Sequence, residues 1–227
     1  MKIILDQFPD LNEKQIIQLS SLKNIYETWN SKINVISRKD IENIYIRHIL
    51  HSLSIAKFIK FKRDATILDL GTGGGFPGIP LAIIFPDSNF ILVDSIRKKI
   101  DVVDEVVKEL ELKNINSQWS RAEDLDCNYD FLVTRAVAKM PTLINWSKGR
   151  FNNYSFHDIE NGIIALKGGD IDDELNGISE KKYWISKTSL ISNISLIRKL
   201  FTYLLVLSNP KFKCINSSFT FNFNKIY

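Results

Sequence analysis

Residues 67–78 read Ile67-Leu68-Asp69-Leu70-Gly71-Thr72-Gly73-Gly74-Gly75-Phe76-Pro77-Gly78. An apolar strand enters this stretch, the glycines form a tight loop, and the apolar run from Ile79 to Phe85 predicts a helix after it. This order predicts the opening half of a βαβ unit. Glycines allow positive φ angles and close approach of a ligand to the main chain, and the helix start presents unpaired N–H groups. The stretch therefore predicts a ligand-binding loop at a strand end.

Two overlapping patterns in this loop point to different ligands. Gly73-x-Gly75-x-x-Gly78 matches the dinucleotide fingerprint. The run 69–75 instead places an acid two residues before its first glycine, Gly71, which is typical of S-adenosylmethionine (SAM) methyltransferases. SAM carries an amino group and a sulfonium but no phosphate, so a nearby carboxylate suits it and would repel a pyrophosphate. The pattern favours SAM, with a dinucleotide or a purely structural glycine turn as alternatives.

A second predicted strand, from Asn89 to Asp94, ends in an acid 23 positions beyond Gly71. An acid at this place can accept both ribose hydroxyls of an adenosine cofactor, or it can cap the next helix. NAD and SAM both contain this ribose, so an acid at position 94 is compatible with either cofactor. After the third strand, Ala122 and Glu123 are candidates to contact the adenine, unless they form an ordinary polar loop.

Strands and helices alternate between residues 64 and 189, which predicts an α/β fold with a doubly wound, mostly parallel sheet of Rossmann-like type. Further strands are expected over 114–119, 129–136, 162–166, 183–189 and 202–207, the last as a closing antiparallel strand, and helices over 97–112, 140–146 and 171–179. Residues 1–62 are expected to form an N-terminal helical cap, with helices over 11–34 (N-cap Asn12) and 40–58. Residues 63–207 form the predicted SAM-binding domain, and 208–227 an atypical tail in which we expect poor order.

The composition limits the class of protein. Apolar residues make up 44% of the 227 positions, enough for a core. No apolar run reaches the roughly 18 residues of a membrane span, and the N-terminus is charged too early for a signal peptide. A cytoplasmic protein with no membrane association is expected. Two cysteines and three histidines lack metal-ligand spacing, so we expect no metal site. The net charge of +4 permits a nucleic-acid partner without requiring one.

Several basic side chains are candidates for substrate positioning. Arg47 and His48 lie on the second predicted helix, either as surface charge and a packed histidine or as groups that touch phosphate or base. Arg135 and Lys167 end the fourth and fifth strands, at the sheet edge where ligands bind. A lone arginine is costly to bury unpaired, which favours a ligand contact for Arg135 over a structural ion pair. Arg121 follows the third strand.

Four blocks of the chain resemble the bacterial small-subunit ribosomal RNA guanine-N7 methyltransferases, the RsmG/GidB family. The blocks are Tyr26–Arg38, Arg47–Leu53, Asp69–Ala82, and Arg121–Glu123 together with Thr134–Ala136 and Ala165–Gly168. The resemblance covers about residues 1–190. Its most specific part is Gly-Phe-Pro-Gly-Ile-Pro at 75–80, which the glycine motif alone does not require.

The resemblance implies a class I SAM methyltransferase fold, SAM as cofactor, and 16S rRNA in a 30S-like particle as substrate; a monomer is expected. The cofactor contacts expected from motif and resemblance together are Gly71, Gly73, Phe76, Asp94, Ala122, Glu123 and Arg135. Two departures stand out: His51 occupies a position where many members have Asp, and the last 35 or so residues do not match the closing strands of the family.

The chemistry agrees with a guanine-N7 acceptor. That nitrogen has a free lone pair at neutral pH, so its methylation needs no general base. Neither Cys127 nor Cys214 lies in a strand-end motif suited to carbon-5 methylation of pyrimidines, and no Pro-Pro pair suggests an adenine amino-methylation loop. A SAM methyltransferase with another substrate, an RNA-binding module with impaired catalysis, and a dinucleotide oxidoreductase remain as alternatives.

Overall fold

The computed structural model of the chain describes residues 1–33, 35–168, 174, 183–186 and 202–208. Its helices are α1 (Lys2–Gln7), α2 (Glu13–Asn30), α3 (Arg38–Ile41), a π-helical segment (Tyr45–Leu50), α4 (His51–Phe58), α5 (Gly78–Ile84), α6 (Arg97–Glu109) and α7 (Met140–Ser147). Its strands are β1 (Thr66–Leu70), β2 (Asn89–Asp94), β3 (Ile115–Trp119), β4 (Phe131–Arg135), β5 (Gly162–Gly168), β6 (Tyr183–Ser186) and β7 (Thr202–Ser208). The helix predicted over 171–179, apart from the helical residue Glu174, and the tail over 209–227 lie outside the described residues.

The strands form one sheet in the order β3-β2-β1-β4-β5-β7-β6. The pairings from β3 to β5 are parallel, whereas β7 runs antiparallel to both β5 and β6. The predicted α/β architecture and the closing antiparallel strand are therefore confirmed. The strand order reverses between β1 and β4, and in open sheets ligands bind beyond the carboxyl ends of the strands at such a point.

The sheet is covered on both faces, which explains why its central strands have continuous apolar sequences. Successive side chains of a strand point to opposite faces. Accordingly, Ile67 belongs to the larger core cluster with helix residues such as Ile79 and Leu22, while Leu68 belongs to the smaller one with Met140. The N-terminal helices share the larger cluster with the sheet. The boundary between a cap and a SAM-binding domain near residue 62 stays a prediction.

The helices before β1 follow the sequence expectation at one end and depart from it at the other. Helix α2 begins with the predicted cap: Gln15 N donates to Asn12 Oδ1 at 2.9 Å, and Asn12 N donates to Gln15 Oε1 at 3.0 Å. The second predicted helix is divided into α3, the π-helical segment and α4. A π-turn adds a residue to the turn, and a 3.6-residue apolar periodicity does not reveal it.

Two side-chain amides donate hydrogen bonds to main-chain carbonyls at or just beyond the C-terminal ends of helices α6 and α5. Gln18 Nε2 of α2 donates to the carbonyl of Leu110 at 2.7 Å, just past the end of α6. Asn114 Nδ2 lies within 3.0–3.1 Å of three carbonyl oxygens at or after the end of α5. The last carbonyls of a helix have no partner within it, so these amides supply the missing donors. No helix of the described ranges has the length and apolar character needed to cross a membrane.

We expect Asn114→Ala to lower the free energy of unfolding by about 1–3 kcal/mol, because three partly buried main-chain carbonyls lose their side-chain donor. Asn116→Ala is the matched control: Asn116 lies two residues along on β3 and is exposed, so we expect a change within about 0.5 kcal/mol. Urea denaturation followed by circular dichroism measures both. Equal losses in the two variants would contradict a capping role for the Asn114 amide.

Candidate active site

The glycine loop after β1 combines a packed glycine with an open one. Gly71 has φ 68°, and a Cβ there would collide with Val137, so both its conformation and its packing require glycine. Gly73 has φ 59°, and a Cβ there would meet no atom within 4 Å. The main chain at Gly73 therefore faces open space, as expected for a loop that accepts a ligand.

Asp69 lies beneath this loop and fastens it. Its side chain is fully buried, and its Oδ2 accepts hydrogen bonds from Thr72 Oγ1 at 2.6 Å and from Gly78 N at 2.7 Å. Its Oδ1 is buried without a partner among the described residues. Burial raises the pKa of Asp69 to about 7. The sequence placed this carboxylate beside a ligand amino group, whereas the structure covers it, so that its charge acts on a ligand through the loop.

Asp94 joins the end of β2 to the loop. Its Oδ2 accepts from Gly73 N at 2.9 Å, and its Oδ1 accepts from Ile96 N at 2.9 Å. The N-cap of α6 is Ile96 rather than Asp94. Lys99 lies in the first turn of α6, and its Nζ is 3.6 Å from Asp94 Oδ2, so this cation has an anionic neighbour. Each carboxylate oxygen keeps a second lone pair, which leaves Asp94 able to accept ribose hydroxyls.

Arg135, at the end of β4, is held by neutral acceptors. Its Nη2 lies 2.9 Å from Nδ1 of His48, and its Nη1 donates to the carbonyl of Arg47 at 3.3 Å. The guanidinium carbon lies 5.4 Å from the centre of the Phe76 ring, in cation–π range. No carboxylate of the described chain lies within 4 Å of this guanidinium. Its positive charge is thus available to an anionic ligand.

The hydrogen bond with Arg135 determines the protonation state of His48. A guanidinium can only donate hydrogen bonds, so Nδ1 of His48 must be unprotonated to accept one. Burial, and then the charge of Arg135, lowers the pKa of His48 to about 4, and the imidazole is neutral at physiological pH. Burial likewise lowers the pKa of His51 to about 4, and its Nε2 has no partner among the described residues.

Tyr26 on α2 supports the loop from the opposite side; the sequence singled it out only as the start of a block shared with the family, without a role. It is fully buried, and its hydroxyl donates to the carbonyl of Gly74. Its ring centre lies 4.9 Å from that of Phe76, which is 3% exposed and also packs on His48. A buried tyrosine hydroxyl needs an acceptor, so a tyrosine on an apolar helix face was a usable signal.

The loop after β3 lies beside the candidate adenosine end of the site. Ser120 N donates to the carbonyl of Asp94 at 3.2 Å, and Ala122 follows in a half-buried position. Glu123 Oε1 accepts from Trp146 Nε1 at 3.1 Å, so its side chain is already engaged. In the described part of the chain, neither Ala122 N nor Glu123 N has an acceptor. The main-chain N–H groups are therefore the better candidates for adenine contacts, while Arg121 is exposed.

One of the basic candidates, Lys167, differs from the sequence expectation, while Arg47 agrees with the surface-charge alternative. Lys167 is 6% exposed, and its Nζ lies 2.8 Å from Glu174 Oε2 and also contacts the carbonyl of Ala138. It forms a buried ion pair instead of facing a substrate. Arg47 pairs with Asp40 at the surface, while its carbonyl serves Arg135. Within the described residues there is no cluster of three or more His, Cys, Asp or Glu side chains placed to hold a metal ion.

Comparisons with known proteins give consistent results. A family model described as rRNA small subunit methyltransferase G (GidB) matches residues 15–197. A ribosomal RNA small subunit methyltransferase G from Flavobacterium psychrophilum is 50% identical over 188 residues, covering 82% of this chain and 90% of its own. One from Christiangramia forsetii is 54% identical over 175 residues, covering 77% and 83%.

Solved structures share the fold at low sequence identity. A precorrin-6y C5,15-methyltransferase from Geobacter metallireducens superposes with a TM-score of 0.51 at 11% identity, covering 78% of this chain and 92% of its own. A ribosomal protein L11 methylase from Lactobacillus delbrueckii gives a TM-score of 0.51 at 16% identity, covering 70% and 76%. At such identities these structures bear on the fold alone.

We expect His48→Leu to weaken SAM binding by about tenfold or more, because Arg135 loses the acceptor that holds it, and hydrogen bonds to charged groups contribute about 1.5–3 kcal/mol. His48→Asn is the matched control, since its side-chain oxygen can take the place of Nδ1, and it should stay within about threefold of the wild type. Isothermal titration calorimetry with SAM measures both. Equal losses in the two variants, or none in either, would contradict a positioning role for His48.

Proposed function

This chain belongs to the rRNA small subunit methyltransferase G (GidB) family and is a SAM-dependent rRNA methyltransferase, and we propose that it methylates N7 of a guanine in 16S rRNA. One observation of the site supports the cofactor part of this proposal. Gly73 faces open space while its N–H is held by Asp94, which forms a cradle for an adenosine ligand at the reversal of strand order. The match of the family model over residues 15–197 supports the assignment of that ligand as SAM.

We assign the cofactor contacts by the chemistry each group can supply. The main chain of Gly71 and Gly73 would lie against the cofactor, and Asp94 would accept the ribose hydroxyls. The N–H groups of Ala122 and Glu123 would meet the adenine. When bound, SAM supplies an electrophilic methyl group on a sulfonium.

Phe76 and Arg135 act together in this proposal. Phe76 is 3% exposed, so its ring supports the guanidinium of Arg135 and offers a ligand little surface of its own. Arg135 has no carboxylate partner among the described residues, and it would bind the amino-acid carboxylate of SAM. His48 positions this guanidinium through its Nδ1.

The proposed reaction needs orientation more than proton transfer. Guanine N7 attacks with its own lone pair, so holding it in line with the methyl group at near-attack distance supplies most of the rate. The guanine becomes cationic as it is methylated. A neutral His48, with a pKa lowered to about 4, adds no further positive charge near it. The Asp69 carboxylate beneath the loop favours a cationic ligand when it is ionised.

The substrate contacts are assigned to exposed cations at the same edge of the sheet. Arg121 is exposed, and Arg47 is exposed although it pairs with Asp40; these two are the candidates for phosphate contacts. Lys167 is buried in its ion pair with Glu174, which argues against it in this role. We further propose that the substrate is presented by the 30S subunit, that the protein acts as a monomer, and that it acts in the cytoplasm, where that particle is assembled.

Incubation with 30S subunits from cells that lack this gene tests the assignment. With methyl-labelled SAM, we expect one labelled 7-methylguanosine per 16S rRNA, identified by nucleoside mass spectrometry. Arg135→Gln should reduce transfer by about 10²-fold, because it removes the one cation held at the end of β4. Label on another nucleoside would refute the N7 assignment, and RNA binding without transfer would favour a binding module.

We expect SAM binding to release a proton near neutral pH. The pKa of Asp69 is raised from 3.8 to about 7 in the free protein, and a bound cation lowers the pKa of a nearby carboxyl. SAM affinity should therefore fall as pH decreases below 7. Calorimetry in two buffers of different ionisation enthalpy measures the release, and Asp69→Asn should abolish it. An affinity independent of pH between 6 and 8 would contradict this coupling.

The raised pKa of Asp69 also makes the stability of the fold depend on pH, and in the opposite direction to SAM affinity. Because the folded-state pKa of Asp69 lies above the unfolded value, the folded protein binds the proton more tightly. The stability that this proton contributes is present below pH 4 and is lost as pH rises through 7. A bound cation offsets that loss, so ligand-induced stabilisation should grow from pH 6 to pH 8, which thermal unfolding with and without SAM measures.

A further inference from the structure

An aromatic side chain stands exposed at the end of β3. Trp119 has 56% of its surface accessible, although most large apolar side chains of the described chain are covered. Its Nε1 donates to the carbonyl of Ser95 at 3.0 Å, which fixes the plane of the indole ring. The guanidinium carbon of Arg97 lies 5.6 Å from the ring centre. Trp119 is thus a preorganised flat surface, with Arg97 against its ring.

Two of the cations close to Trp119 or Arg97 in the sequence have no carboxylate partner in the described part of the chain. Arg97 and Lys98 lie in the first turn of α6, where the helix dipole disfavours cations. Arg97 is paired with Asp101 at 2.9 Å, but Lys98 and Arg121 are exposed and have no carboxylate within 4 Å in the described part of the chain. Two unpaired cations therefore stand close in sequence to the two residues of the stacked pair.

The patch borders the candidate cofactor cradle. Trp119 and Asp94 are register partners on neighbouring parallel strands, so the ring lies at the carboxyl edge of the sheet, beside the candidate adenosine end. A polymer whose reacting nucleotide enters the site would extend across this edge. Unpaired bases of RNA commonly stack on aromatic rings and arginine planes, and its phosphates suit free cations.

We propose that Trp119 and Arg97 form a stacking platform for an unpaired base of the rRNA substrate, with Lys98 and Arg121 contacting the adjoining phosphates. The proposal rests on the assignment of rRNA as substrate and adds the surface that holds it outside the reacting nucleotide. RNA fits better than the adenine of the cofactor, because SAM has no phosphate for Lys98 and Arg121 to bind.

Two substitutions of the ring give a direct test. Trp119→Ala should raise the KM for 30S subunits about tenfold, the typical effect of one lost base–aromatic stack, with kcat and SAM affinity unchanged. Trp119→Phe keeps a stacking face and should stay near the wild type. Tyr154→Ala is the matched control, since Tyr154 is 74% exposed on another loop, and it should change nothing.

The salt dependence of RNA binding separates stacking from charge. For 16S rRNA retained on filters, Arg121→Gln should reduce the slope of log affinity against log salt concentration by about one phosphate contact. Trp119→Ala should weaken binding and leave that slope unchanged. Filter retention is measured without methyl transfer, so its outcome is distinct from the identity of the methylated atom.

The proposal fails under either of two results. If Trp119→Ala weakens SAM binding and leaves the KM for 30S subunits unchanged, the ring covers the cofactor adenine and the platform assignment is wrong. If neither quantity changes while circular dichroism shows a folded protein, Trp119 has no part in binding. Loss with Trp119→Ala that Trp119→Phe restores would support the platform.

Discussion

The site depends on one buried carboxylate. Asp69 is the next-to-last residue of β1, and its Oδ2 accepts hydrogen bonds from both Thr72 at the start of the loop and Gly78 at the start of α5. A buried charge is costly unless hydrogen bonds compensate it, and here the two bonds join strand, loop and helix at one atom. The conformation of the glycine loop, and with it the open surface at Gly73, follows from that attachment.

Helices from the first part of the chain complete this loop rather than merely covering it. Tyr26, which lies on α2, donates a hydrogen bond to the carbonyl of Gly74. His48, which lies on the π-helical segment, accepts one from Arg135 at the end of β4. Phe76 lies between these two contacts. Because the helices also share the larger core cluster with the sheet, disturbance of their packing would reach the ligand loop through well-packed aromatic rings.

The parts that could be predicted from sequence are those encoded over short distances. The glycine loop, the acid that ends β2 and the Asn12 cap each depend on residues a few positions apart, and local geometry decides them. The contact of Arg135 with His48 spans 87 positions, and the ion pair of Lys167 depends on Glu174 in a following segment. Strand ends identify which cations reach the site edge, but only tertiary packing decides which of them finds a carboxylate.

The strand order determines when each part of the sheet can form while the chain is being synthesised. β6 lies at the edge of the sheet, and its sheet neighbour is β7, which comes later in the chain and itself sits between β5 and β6. While a polypeptide is still emerging from the ribosome, residues 183–186 thus have no partner among the described strands until residues 202–208 are outside the exit tunnel. The parallel half of the sheet, with its ligand loop, can assemble first, and the antiparallel edge is added last.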